Sequence, residues 1–136
     1  MKRGLRALGF SARNINDKKI IVGVLLREFI IEGITVYLIN KNNYSTTLKE
    51  RILKDKYYIQ AHIILFDDEY FEQNDLDQVI LQLGKQSLKT SELRQKNIHT
   101  KLESLAFQAC SYANIILNSL NSTLLNELYK EKNYLN

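Results

Sequence analysis

The chain contains 136 residues, of which 45% are hydrophobic and 25% are charged, and this size and composition predict a single domain with its own core. Its one cysteine, Cys110, excludes an internal disulfide and a multi-cysteine zinc site, so we expect a cytoplasmic protein. The apolar run of residues 20 to 26 is too short to span a membrane, and no membrane partner is expected.

The net charge of +4 is distributed unevenly along the chain. Residues 1 to 27 carry seven Lys or Arg against one Asp, whereas residues 67 to 77 carry six acids and no base. Because phosphate contacts need only clustered positive charge, the basic segment is a candidate nucleic-acid surface. Strand alternation would scatter its side chains over two faces, so a solvated charged rim is the competing interpretation. The candidate residues are Lys2, Arg3, Arg6, Arg13, Lys18 and Lys19.

Three strands are predicted in the first 40 residues. Residues 4 to 10 have an alternating pattern that predicts a short strand, and the polar stretch after them predicts a loop. Residues 20 to 40 are almost continuously apolar and rich in Ile and Val, which is typical of strands. We divide this segment into strands over residues 19 to 27 and 29 to 39, with a turn at Arg27 and Glu28.

A helix, a fourth strand and a second helix follow. Apolar residues at helical spacing after a hydroxyl or acidic cap predict each helix, and the apolar run between the two helices predicts the strand. In chain order these are a helix from Ser45 or Thr46 to near Lys56, a strand over residues 57 to 66, and a helix from Asn74 or Asp75 to Gly84.

The chain from Lys85 onward is predicted to be helical. Apolar residues recur there at intervals of three and four, and several are small enough for a partner surface to approach closely. This stripe is either core or part of a homodimer interface. Its members are Leu102, Ala106, Ala109, Ala113, Ile116, Leu120, Leu124 and Leu128.

The order of the elements predicts an α/β fold, on the border with α+β. Three consecutive strands favour an antiparallel meander, and a helix followed by a strand favours a crossover to a parallel neighbour. We therefore expect a mixed sheet of about four strands, as in the ribonuclease H-like fold, with a helical C-terminal half. One domain would span residues 1 to 136, with residues 1 to 84 forming the sheet part and residues 85 to 136 the helical part.

Several segments resemble, in their order and spacing, an uncharacterised archaeal family related to endonuclease V. They are KRGLRALGF leading to KKIIVGVLLR, then IIEGITVYLIN, YSTTLKERI and AHIILFDDEYFEQNDLDQV, within residues 2 to about 80. The resemblance implies a ribonuclease H-like fold and descent from a two-metal nuclease. In such a nuclease, acids on the first strand, on a neighbouring strand and at the end of the fourth strand hold Mg²⁺, which activates water.

Two of the three acids that the resemblance implies are present. Glu32 matches the acid of the family's I-[DE]-G strand, and Asp67 matches the acid that ends the fourth strand. The family places a further acid just after its Leu-Gly pair, but here Gly9 is followed by Phe10, Ser11, Ala12 and Arg13. A hydroxyl is a poor substitute for a bridging carboxylate, and the arginine would bring positive charge close to any cation.

Asp67, Asp68, Glu69 and Glu32 are therefore the candidate metal ligands, with Asp67 and Glu32 as the candidate catalytic residues. Asp68 or Glu69 would have to replace the missing first-strand acid. The competing interpretations are a solvated acidic loop after a buried strand, and an edge-strand acid beside a bulge at Gly33.

Three functions follow from these features. The resemblance implies a degenerate endonuclease V-like domain that is not catalytic, needs no cofactor and binds DNA or RNA. The first alternative is an Mg²⁺-dependent endonuclease. The second alternative is a protein-interaction or dimerisation module that associates through its C-terminal helices.

Overall fold

The structure is a computed structural model, and it describes residues 4–120, 127 and 130. Five strands form one sheet in the order β3-β2-β1-β4-β5. The first three strands form an antiparallel meander, whereas β4 is parallel to β1 and β5 is parallel to β4. The predicted α/β class and the meander followed by a parallel strand are confirmed. The strands are β1 (Arg6–Ile15), β2 (Lys18–Arg27), β3 (Ile30–Asn40), β4 (Ile63–Phe66) and β5 (Ser87–Lys89).

Helices cover both faces of the sheet. One face packs against α1 and α3 around a core that includes Leu8, Phe10 and Phe66. The other face packs against α5, which crosses β1 and β2. Among the described residues, none of the helices is both long and apolar enough to cross a membrane. The helices are α1 (Ser45–Lys54), α2 (Lys56–Gln60), α3 (Gln73–Gln82), α4 (Thr90–Arg94) and α5 (Lys101–Ser119), with a short 3₁₀ turn at Asp68–Tyr70.

Three predicted elements differ from the observed ones. Strand β1 continues to Ile15, through residues that were predicted as loop, because they pair with β2. Residues 57 to 60 belong to helix α2 and not to a strand, since the carboxylate of Asp55 accepts a hydrogen bond from the backbone N–H of Tyr57 and begins a helix there. Strand β5 lies in the part that was predicted to be helical, and it pairs in parallel with β4 as a fifth strand at the edge of the sheet.

The small residues of the C-terminal stripe bring α5 close to β1. A Cβ atom built on Gly9 would lie 2.5 Å from the backbone nitrogen of Cys110 and 2.8 Å from the Cβ atom of Ala109. Ala106, Ala109 and Ala113 are completely buried. These three alanines of the stripe therefore pack inside the chain, whereas Leu102, Ile116 and Leu120 are only partly buried. Leu124 and Leu128 lie outside the described residues.

Candidate functional site

The pairing of β1 with β4 brings Ser11 and Asp67 side by side. Phe10 lies opposite Phe66 in the parallel register, and the backbone N–H of Asp67 donates to the carbonyl of Phe10 at 2.9 Å. Ser11 and Asp67 each follow one member of this pair. Helix α5 crosses the same end of the sheet and adds Asn114 to them.

Asp67 is a buried carboxylate, and the described residues pair only one of its two oxygens. Its side chain follows the last residue of β4, and the residue is 5% exposed. The side-chain amide of Asn114 donates to Oδ2 of Asp67 at 2.7 Å. Oδ1 is also buried, and it has no hydrogen-bond partner within the described part of the chain. A buried oxygen without a hydrogen-bond partner lowers the stability of the fold, so its presence at Asp67 needs an explanation, and we treat Asp67 as a candidate site residue.

Arg13 supplies a positive charge on the other side of Asn114. The hydroxyl of Ser11 donates to Oδ1 of Asn114 at 2.5 Å, and Nη1 of Arg13 donates to the same oxygen at 3.3 Å. Nη2 of Arg13 donates to Oδ1 of Asn118 at 2.8 Å. The guanidinium also lies 3.8 Å from the centre of the Tyr70 ring, a cation–π contact. We call Ser11, Arg13, Asp67 and Asn114 the Asp67 cluster.

The Asp67 cluster does not fit the three-acid Mg²⁺ site that the resemblance implies. Mg²⁺ is held in proteins mainly by carboxylate oxygens and water. Asp67 is the only carboxylate of the cluster, and the oxygens of Ser11 and Asn114 already take part in hydrogen bonds. The guanidinium of Arg13 would also repel a divalent cation. Within the described residues, no group of three or more His, Cys, Asp or Glu side chains is arranged to hold a metal ion.

Asp68 and Glu69 do not join Asp67. Oδ1 of Asp68 accepts hydrogen bonds from the hydroxyl of Thr90 at 2.7 Å and from the backbone N–H of Ser91 at 3.1 Å, so it fixes the start of α4. Burial tends to raise the pKa of Asp68, but the hydrogen bonds from Ser91 and Thr90 outweigh it and lower that pKa overall. Glu69 is exposed on the 3₁₀ turn.

Glu32 lies in a separate ion-pair group at the opposite end of the meander. Its carboxylate accepts from Nε of Arg6 at 2.6 Å and from Nε of Arg27 at 2.9 Å. These hydrogen bonds, with that of Arg6 the stronger, lower the pKa of Glu32. The register places Glu32 about four residues from Asp67 along the strand direction, or about 13 Å. The structure therefore does not bring together the two candidate catalytic acids.

The six predicted nucleic-acid-binding cations do not form one patch. Lys2 and Arg3 lie outside the described residues. Arg6 is buried against Glu32, and Lys19 is buried beneath Glu72, with Nζ of Lys19 2.9 Å from that carboxylate.

The other two, Arg13 and Lys18, are half-buried. Strand alternation places both on the α5 face at the same end of the sheet, whereas Lys19 points to the opposite face, over the rings of Tyr44 and Phe71. Nζ of Lys18 contacts Oδ1 of Asn40 at 2.8 Å. Of the six candidate cations, Arg13 and Lys18 are thus the two described ones that share a surface.

Sequence reasoning missed Asn114 and Asn118. Both lie on α5, four residues apart and following Cys110 at the same spacing, so they share one side of the helix with a buried residue. Polar residues that continue an apolar helical stripe were the available signal. Their partners could not be found that way, because Asn114 and Asp67 are 47 residues apart in the chain.

Cys110 is a packing residue. It is buried between α5 and the sheet, and its thiol donates to the carbonyl of Leu65 at 3.3 Å. Burial, aided by the negative charge of Asp67, raises the pKa of this thiol well above its usual range. The thiolate that a nucleophile requires is therefore strongly disfavoured.

A cleft of about 600 Å³ lies apart from the Asp67 cluster, beside the turn between β2 and β3. Leu5, Phe29 and Leu105 supply its apolar lining, and His99 and Lys101 supply polar atoms. The ring of His99 is 2.6 Å from the carbonyl of Leu93 through Nε2, so the histidine already has a structural partner.

Comparison with known proteins leaves the family of the chain open. The chain matches no protein-family model and no curated protein. It is similar to a solved structure described as a protein of unknown function from Archaeoglobus fulgidus DSM 4304, with 17% sequence identity and a TM-score of 0.43. The match covers 55% of this chain and 49% of that one, so this chain spans about half the length of that protein.

Proposed function

We propose that the protein is a non-catalytic, ribonuclease H-like domain of endonuclease V ancestry that binds nucleic acid in the cytoplasm without cleaving it. The strand order, with an antiparallel meander beside two parallel strands and a long helix across β1, supports the fold assignment. The five segments quoted above support the ancestry.

One observation carries the non-catalytic part of the proposal. At the end of β4, where a nuclease of this ancestry would gather acids around Mg²⁺, Asp67 instead faces the amide of Asn114. Arg13 and the hydroxyl of Ser11 bind the other end of the same amide. Only the amide group of Asn114 thus separates the guanidinium of Arg13 from Asp67, the one carboxylate of the cluster. The oxygens of Ser11 and Asn114 already take part in hydrogen bonds.

The nucleic-acid part rests on positive charge. The chain has a net charge of +4, and Arg13 and Lys18 lie on one face at one end of the sheet. The aromatic ring of Tyr70 supports the guanidinium of Arg13 from below. A guanidinium held in a fixed orientation suits phosphate oxygens, because less side-chain freedom is lost on binding.

Thermal unfolding in millimolar MgCl₂ or MnCl₂ tests the non-catalytic part. We expect no metal-dependent rise in melting temperature for the wild-type protein, and the same result for Asp67→Asn. No cleavage of deaminated or structured DNA and RNA is expected in either metal. Glu69→Gln, which changes an exposed acid two residues away, is the matched control.

A metal-dependent rise in melting temperature that Asp67→Asn abolishes would instead support the alternative, an Mg²⁺-dependent endonuclease. The observation in favour of this alternative is the buried Oδ1 of Asp67, for which the described residues supply no hydrogen-bond partner. Metal-dependent cleavage that is lost in Asp67→Asn would decide for the enzyme.

Fluorescence anisotropy with labelled single-stranded and double-stranded oligonucleotides tests the nucleic-acid part. The variant Arg13→Ala/Lys18→Ala should bind about tenfold or more weakly at low salt, with a smaller dependence on salt, because it has lost two phosphate contacts. The control Arg51→Ala/Lys54→Ala removes the same charge from the exposed end of α1, on the other face of the sheet. Equal losses of affinity in both variants would mean that binding depends on overall charge and not on Arg13 and Lys18. An absence of binding by the wild type would refute the nucleic-acid part of the proposal.

A further inference from the structure

The outer edge of β3 has an apolar surface that none of the described residues covers. β3 is an edge strand of 11 residues, and its outer side is not paired with any strand in the described part of the chain. Phe29, in the turn before the strand, is 85% exposed, and Ile31 and Ile34 are 41% and 47% exposed. Exposed edges of this length pair readily with another chain, and proteins usually block them with Pro or charged side chains.

β3 lacks these blocking features. It contains no proline, and its one charged side chain is Glu32, whose carboxylate is turned inward to Arg6 and Arg27. β3 itself has a bulge at this inward acid, because Leu25 pairs with Gly33 and Leu26 pairs with Ile31, but the strand continues on both sides of it. Apart from this bulged, inward acid, the edge is long and carries neither proline nor an outward-pointing charged side chain.

One face of β3 adds an apolar strip to this edge. The register with β2 places Ile31, Ile34, Val36 and Leu38 on the face that α5 covers. Because α5 packs mainly over β1 and β2, the strip is only partly covered. Tyr112, Ile116 and Leu120 of the α5 flank are also only partly buried, so strip and flank together form one apolar surface.

We propose that two copies of this chain associate through antiparallel pairing of their β3 strands, forming a continuous ten-stranded sheet. A twofold axis perpendicular to the sheet would place the α5 helices of both copies on the same face. The apolar strip of each copy would then lie directly beside the strip of the other. Each strip would thereby cover apolar area of the other that is exposed in the monomer.

Charge favours a second copy of this apolar strand over a charged peptide. A charged peptide would find no complementary charge along β3, whereas the strand itself is neutral and apolar along its exposed part. The dimensions are also comparable with those of a stable interface. An 11-residue strand is about 36 Å long, and a sheet with one helix layer is about 20 Å thick, which approaches the roughly 800 Å² per partner of a stable interface.

The oligomeric mass in solution tests the proposal independently of nucleic-acid binding. Size-exclusion chromatography with light scattering, on the full chain at about 100 µM, should give twice the chain mass of 15.9 kDa. Ile34→Lys and, separately, Ile31→Lys should give a monomer with an unchanged circular dichroism spectrum, because each places a charge in the paired strips. Leu81→Lys is the matched control, since Leu81 is 84% exposed on α3 and lies outside the proposed interface.

Two outcomes would overturn the proposal. A monomeric wild type at that concentration would do so directly. If that monomer also lost stability in Ile34→Lys, the strip would be covered by residues 121 to 136 of the same chain. Dimers that persist in both folded lysine variants would place the interface elsewhere, for example on the C-terminal helices.

Discussion

The side-chain amide of Asn114 donates a 2.7 Å hydrogen bond to Asp67 and thereby joins α5 to the end of β4. Asn114→Ala should therefore lower the free energy of unfolding by about 1–3 kcal/mol, because a buried carboxylate loses a partner. Urea unfolding followed by circular dichroism measures this. Asn118→Ala, which removes an exposed contact of Arg13, should have a small effect. Equal losses in both variants would mean that the amide does not serve Asp67.

The close approach of α5 to β1 at Gly9 leaves no room for a side chain at this position. A Cβ atom there would lie 2.5 Å from the backbone nitrogen of Cys110, and backbone atoms yield little. Gly9→Ala should thus destabilise the protein by about 1–3 kcal/mol through overpacking. At Gly84 the nearest atom to an added Cβ is the Tyr58 hydroxyl at 3.5 Å, so Gly84→Ala should stay within about 0.5 kcal/mol of the wild type in the same urea experiment. A neutral Gly9→Ala would contradict the close packing.

Glu32 predicts a loss of stability in acid. Its pKa is lowered from 4.5 in the folded state by Arg6 and then Arg27, so unfolding takes up a proton as the pH falls below that value. The ion pairs therefore stabilise the fold fully above pH 4.5 and progressively less as the pH falls through the lower, folded-state pKa.

Glu32→Gln should accordingly be less stable than the wild type at pH 7, with the difference shrinking as the pH falls below 4.5 through the lowered pKa of Glu32. Chemical unfolding at a series of pH values gives this comparison. Glu69→Gln changes an exposed acid and should leave the wild-type pH dependence in place. A pH dependence that is identical in Glu32→Gln and wild type would show that the ion-pair group does not contribute.

We expect the thiol of Cys110 to be unreactive in the folded protein. It is buried, and its pKa is raised by burial and by Asp67, so little thiolate is available to react. Dithionitrobenzoate should label the native protein slowly and label it to one equivalent in denaturant, since the chain has one cysteine. Rapid labelling of the native protein would mean that α5 separates easily from the sheet.

The strands of the meander were predictable because their pattern is local. Residues 20 to 40 are so rich in Ile and Val that two strands were the natural interpretation, and the observed β2 and β3 agree with it to within a residue. Helix α2 was not predictable in the same way. Tyr57 and Tyr58 favour a strand by propensity, but the cap at Asp55 and the packing of the Tyr57 ring on Gly33 decide for a helix.

The candidate site was predictable only in part, for a related reason. Asp67 could be found because it directly follows a buried strand, and Arg13 because it follows the position of a missing acid. Asn114 depends on where α5 crosses the sheet, and residues 87 to 89 form too short a strand for any periodicity to appear. Contacts between distant segments are set by packing, and no local pattern encodes them.

The parallel pairing of β1 with β4 has a consequence for how the chain folds. The meander joins neighbouring segments, so it can form early, whereas β1 must wait for a strand that begins 57 residues after its own start. Helix α5 comes later still in the chain, and until it docks the face of β1 and β2 that it covers remains open to water. During synthesis, this apolar face is therefore the surface that a chaperone would meet first.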